Sequence, residues 1–170
     1  MHIHAHRADD IFTAVRIAEE FGLDYCVVHC TQGHLIADRL AKAGVKAFSG
    51  PLISDRCKPE LKDSTPATPG VLSKAGVKTA IVTDHPVIPI QYLPLCAGLA
   101  VREGMTHDDA LRAITMKPAE MCGIAARVGS LEVGKDADMS LFDSDPLTLF
   151  AKPLLVVGDG EILMEGKSNA

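Results

Sequence analysis

Residues 74–84 read Lys-Ala-Gly-Val-Lys-Thr-Ala-Ile-Val-Thr-Asp, and the first five of these letters already occur at residues 42–46, ahead of Ala47, Phe48 and Ser49. The spacing between the two copies matches one strand-plus-helix unit, since a βαβ unit takes roughly 30 residues or more. In each copy the glycine (Gly44, Gly76) stands between a helix-like run and an apolar run, where a left-handed residue ends a helix. The apolar runs VKAFSG (45–50) and VKTAIVTD (77–84) carry few polar residues, as expected of strands covered on both faces. Two similar runs lie upstream, MHIHAH at 1–6 and DYCVVHC at 24–30.

Helix signals fill the gaps. Ile11, Ala14, Val15, Ala18 and Phe21 recur at helical spacing between the first two strands, with Gly22 as a stop. Ile36, Leu40 and Ala43 mark one face of the next helix. A Pro-rich polar loop runs from Pro51 to Pro66, then a short helix ends at Gly76. Further helices are predicted from about Ile90 to Gly104 and from Thr106 onward, the latter opened by a Thr106/Asp109 capping box. Beyond Gly129 the helical period disappears, and Asp159-Gly160 between two apolar runs signals a hairpin. The chain therefore divides into parallel βα units over 1–128 and a small antiparallel β piece over 129–170.

Composition narrows the function. A net charge of -5 and low aromatic content without Trp argue against a nucleic-acid partner. The apolar stretch Leu95–Val101 is too short to span a bilayer, and the N-terminus does not read as a signal peptide. Five scattered cysteines form no disulfide framework and suit a reducing, cytoplasmic setting. Cys26 and Cys30 are expected on the strand face opposite His29, packed against helices.

Chemistry concentrates at strand ends. His4, His29 and Asp84 each close an apolar run, and in parallel α/β proteins side chains converge on ligands at those ends. Strand parity groups His2, His4 and His6; Val27 and His29; and Ala80, Val82 and Asp84. With those faces turned inward, His4, His29 and Asp84 meet at one mouth. Two imidazoles and a carboxylate suit zinc or a similar divalent ion, with manganese or iron as alternatives. The ion would bring the pKa of a bound water to about 7, and Asp84 would relay its proton to a leaving amine. His6, Arg7 and His85 are candidates for substrate contact, Arg7 through a bidentate grip on a carboxylate. His34 reads as a helix-start residue and His107 as exposed.

The segments carrying these residues resemble the amidohydrolase superfamily, nearest to imidazolonepropionase-like and cyclic-amidase members. IHAHRADD (3–10) is similar to the fifth-strand segment with its metal-binding His, here His4. CVVHCTQGHLIAD (26–38) is similar to the sixth-strand segment, whose His corresponds to His29. IVTDHPVIP (81–89) is similar to the eighth-strand segment, whose Asp corresponds to Asp84. ITMKPAEMCGIAARVGSLEVGKDADMSLFDSDPL (114–147) resembles the stretch that joins the barrel to its small β domain. The resemblance implies the C-terminal half of a (β/α)8 TIM-type barrel with part of a small β-sandwich domain. It also implies one or two divalent ions, a small-molecule substrate and hydrolysis of a C–N bond, with Asp84 and His29 catalytic. The first-strand His-x-His pair and the fourth-strand ligand of that superfamily have no counterpart in their own strand contexts. A complete barrel typically needs about 250 residues. The expectation is therefore a fragment, a homo-oligomer, or a chain that works with a missing N-terminal half; the alternative is a non-catalytic remnant acting by association.

Overall fold

The computed structural model describes residues 1–166. In chain order it runs β1 (His2–Ala5), α1 (Ala8–Glu20), β2 (Cys26–His29), α2 (Ala37–Lys42), β3 (Lys46–Ser49), α3 (Thr68–Lys74) and β4 (Lys78–Ile81). There follow α4 (Leu93–Arg102), α5 (His107–Ala113), α6 (Met116–Met121), β5 (Met139–Phe142), β6 (Pro153–Gly158) and β7 (Glu161–Glu165).

The two Lys-Ala-Gly-Val-Lys copies end α2 and α3 in the same way. Gly44 and Gly76 take φ of +65° and +94°. The Val45 N–H donates to Leu40 O at 3.1 Å and the Val77 N–H to Leu72 O at 3.0 Å, the long bond of a Schellman ending. Leu40, Val45, Leu72 and Val77 are all buried in one cluster, supplying the apolar contact that accompanies this motif. β3 and β4 begin immediately afterwards, and Lys46 pairs with Lys78. The sequence repeat has become the strand register.

All four N-terminal strands are parallel, in the order β1-β2-β3-β4. One face, bearing Ala5, Val27 and Ala47, packs on Ile11 and Val15 of α1, Leu40 of α2 and Leu72 of α3. Two expected core positions lie outside it. α1 stops at Glu20, which leaves Phe21 as its 69 % exposed cap, and Ala43 is the exposed cap of α2. The other face carries Cys26, Val28, Phe48 and Ala80, with Val82 beside them and Met121 of α6 packed on them. Lys78, the first residue of β4, pairs with Glu120 of α6 at 2.9 Å. α6 therefore covers this face at the N-terminal ends of the strands and leaves the C-terminal ends open.

The Thr106 capping box forms as expected: Thr106 Oγ1 accepts from the Asp109 N–H at 3.1 Å. α4 and α5 share a third cluster with Ile81 and with Leu147 from the segment leading to β6. β5, β6 and β7 form a separate antiparallel sheet in the order β5-β6-β7. Asp159 and Gly160, at φ +52° and +80°, make the predicted hairpin turn. Positions 167–170 of the predicted β piece lie outside the described residues. Among the described residues no helix is long and apolar enough to cross a membrane.

Candidate metal centre at the strand ends

Strand parity alone does not deliver His29 to the open face. The parallel register sets His4 against Val28 and Ile3 against Val27. Val28 belongs to the open face and Val27 to the helix-packed face, so strict alternation would send His29 toward the helices with Val27. The backbone breaks that alternation: His29 and Cys30 take φ of +73° and +50°. Two consecutive left-handed residues turn the chain at the strand end, and the His29 ring reaches His4. The expectation that Val27 and His29 share an inward face is thereby corrected. So is the placement of Cys26, which lies on the open face against Met121. Cys30 does pack among the helices as expected, and burial pushes its thiol pKa up to about 12.

The two imidazoles form a defined relay. His29 Nδ1 lies 2.9 Å from Gly50 O, and His29 Nε2 lies 2.9 Å from His4 Nδ1. A carbonyl oxygen only accepts, so His29 Nδ1 carries the hydrogen and neutral His29 presents a lone pair at Nε2. His4 then donates from Nδ1 and keeps its own Nε2 lone pair free. An imidazole tied through its far N–H to a backbone carbonyl is the usual support of a metal-ligating histidine. Two nitrogens bound tetrahedrally to zinc at about 2.0–2.1 Å stand about 3.3 Å apart. His29 Nε2 and His4 Nδ1, 2.9 Å apart, would meet that spacing by separating slightly, with His4 moving its hydrogen from Nδ1 to Nε2 to free the ligating lone pair. The donor set and its spacing suit a divalent ion.

Asp84 closes β4 on the opposite side of the open face. It too is left-handed, at φ +54°. Asp84, His85, His4 and His2 line one cavity of about 440 Å³, whose remaining wall is largely apolar, with Val28, Phe48 and Val82 at its base. His4 and Asp84 thus share a cavity, but among the described residues no three His, Cys, Asp or Glu side chains gather closely enough to hold an ion. The expected meeting of His4, His29 and Asp84 is realised only in part: His4 and Asp84 line the same cavity, while His29 bonds His4 but borders the separate small void beside Ser49 and Gly50. His85 Nδ1 accepts from the Ile90 N–H at 3.3 Å, so neutral His85 carries its hydrogen on Nε2. It braces the following loop rather than Asp84.

His6 stacks on His29, ring centroids 4.3 Å apart and nearly parallel, and bonds Thr31 Oγ1 at 2.8 Å. Burial lowers its pKa, and the neighbouring His29 adds to the effect. Arg7 lies outside the cavity lining: its guanidinium grips Asp9 at 2.9 and 2.8 Å on the exposed start of α1. That contact draws the Asp9 carboxyl down to about 2. The Pro51–Pro66 loop does not wall the cavity that His4 and Asp84 share. It packs beside His29 and Thr31, where Pro51, Leu52, Ser64 and Thr65 border a much smaller void. His34 bonds Thr31 O and Thr68 Oγ1, and half-exposed His107 pairs with Asp145 at 2.9 Å. The residue that sequence reasoning missed is Gly50, whose carbonyl orients His29; a glycine before a proline carried no chemical signal of that role.

The amidohydrolase family model matches residues 1–162. The chain belongs to the amidohydrolase family. Its fold is close to that of an amidohydrolase from Thermotoga maritima MSB8, with a TM-score of 0.93 and 41% identity over 97% of this chain and 43% of that one. Amidohydrolase tasK of Hapsidospora irregularis is 30% identical over 166 residues, 94% of this chain and 17% of that protein. An imidazolonepropionase of Maricaulis maris is 30% identical over 148 residues, 83% of this chain and 35% of its own length. This amidohydrolase chain therefore spans less than half the length of each of these relatives.

Proposed function

We propose that this amidohydrolase chain supplies the strand-end half of a divalent-metal site that hydrolyses C–N bonds in small amides or cyclic amides. Its parallel sheet corresponds to the last four strands of a (β/α)8 barrel over residues 1–128, and β5–β7 to part of a small β domain over 129–170. The observation that carries the reading is the His4–His29 pair, 2.9 Å apart and anchored through His29 Nδ1 on Gly50 O.

His4, His29 and Asp84 would hold the ion, zinc in the first instance. When bound, the ion supplies Lewis acidity and lowers the pKa of a neighbouring water. The chain's own residues do the rest. Asp84 accepts a proton at the mouth and returns it to the departing nitrogen. His85 donates from Nε2 to a polar atom of the substrate, and His6 buttresses His29 by stacking. Val28, Phe48 and Val82 keep the base of the cavity dry. The similarity to imidazolonepropionase supports a small cyclic substrate.

Zinc content after refolding, followed by turnover of a panel of N-formyl amines, imidazolones and cyclic amides, tests this reading. Metal-dependent hydrolysis lost in His29→Ala supports it; a chain that retains no zinc overturns it. A second reading is that turnover needs an associated polypeptide, a second copy or an N-terminal half. Exposed Leu131, Val133 and Phe150 (73 %, 108 % and 84 %) favour it. Light scattering that shows a monomer with full turnover contradicts this second reading.

A further inference from the structure

We propose that Gly50 is a positioning residue that dictates which nitrogen of His29 faces the metal site, and that only glycine can serve there. The inference rests on the proposed role of His29 as a ligand.

Three observations converge on it. The Gly50 carbonyl accepts from His29 Nδ1 at 2.9 Å in a buried setting, so it selects the form of the ring with its lone pair at Nε2. Gly50 has φ of +143°, a conformation that side-chain-bearing residues rarely adopt. A Cβ built at Gly50 would stand 2.1 Å from Val82 O and 3.1 Å from Val82 C. Val82 cannot retreat easily, because its N–H donates to Ser49 O at 3.0 Å and extends the β3–β4 pairing by one bond. Any side chain at position 50 must therefore push its own backbone off Val82, and the carbonyl that holds His29 moves with it.

The same geometry explains why the anchor is a main-chain atom. A carbonyl fixed between two paired strand ends has no rotamer freedom, whereas a carboxylate or amide side chain in its place would have to be ordered first. It also adds no charge beside a histidine pair that must stay neutral to bind metal.

The test uses the full chain with ¹⁵N-labelled histidine, observed by NMR without metal and with zinc. His29 is expected to show a protonated Nδ1 and an unprotonated Nε2, with zinc perturbing the Nε2 signal. A His29 protonated on Nε2, or ligating through Nδ1, overturns the proposal. Gly50→Ala, checked for folding by circular dichroism, is expected to weaken zinc binding about 10–100-fold, the usual effect of losing an outer partner of a ligating histidine. A folded Gly50→Ala with unchanged zinc affinity also overturns it. The spectrum of the unaltered chain decides alone where the variant does not fold. An unaltered chain that binds no zinc removes the metal site itself, while the metal-free spectrum still reports whether Gly50 sets the ring.

Discussion

The two sides of the strand-end mouth are built on opposite plans. On the β1–β2 side, His4, His29 and Gly50 are chained by hydrogen bonds, and His6 stacks on His29 and bonds Thr31 Oγ1. On the β4 side, the Asp84 carboxylate makes no hydrogen bond among the described residues, and His85 is turned to the Ile90 N–H. Both sides use left-handed residues at or just past a strand end, so the difference lies in the partners rather than in the backbone. Imidazoles fixed in this way would need little reorganisation to hold an ion, and a carboxylate free of protein partners can accept and release a proton. On the proposed function, the histidine side would contribute most of the ion's affinity, and Asp84, the third ligand, would be the group that moves the proton.

The sharpest way to break this contrast is Asp84→Asn. It is expected to lower turnover by about 10²–10⁴-fold, the size of a general acid–base contribution, with a much smaller change in zinc affinity than His29→Ala causes. Equal losses of affinity would place both sides in the same role. Packing offers the next test, because the parallel sheet is covered and the small sheet is not. Leu72→Ala, fully buried beneath β3 and β4, is expected to cost about 2–5 kcal/mol in chemical denaturation. Leu163→Ala, 68 % exposed on β7, should stay within about 0.5 kcal/mol. Removing the α5 cap with Thr106→Ala should cost about 1 kcal/mol, with turnover unaffected.

The smallest effect concerns Arg7. The Asp9 carboxyl is drawn down to about 2 by the adjacent guanidinium, so this contact stabilises the fold above the ordinary carboxylate range and is lost as pH falls through about 2. Arg7→Ala is expected to return the Asp9 carboxyl to its ordinary range by ¹³C NMR and to leave KM unchanged. A raised KM would restore Arg7 to the substrate.

Much of this was legible in the sequence because periodicity and punctuation agreed. Gly44 and Gly76 end helices, Asp159-Gly160 turns a hairpin, and Thr106 caps a helix, each through a local rule that tertiary packing did not override. His4 and Asp84, near the C-terminal ends of the first and fourth parallel strands, line one cavity. What failed was parity at β2. His29 and Cys30 adopt positive φ without being glycine or asparagine, so nothing local announced the turn that carries His29 to His4. The same blind spot put Cys26 on the wrong face and hid Gly50, whose role arises from contact with Val82 and His29 across neighbouring strands. Arg7 reads as a candidate for gripping a substrate carboxylate, yet in the structure its guanidinium grips Asp9 two residues on, within the first turn of α1.

The central claim, that the bonded histidine pair is a metal-ligand pair, is tested most directly by zinc titration of the unaltered chain beside His4→Ala and His29→Ala, with circular dichroism as the check of folding. The expected result is saturable zinc binding by the unaltered chain and its loss in both folded variants. Zinc binding that survives in either folded variant with unchanged affinity would contradict the account.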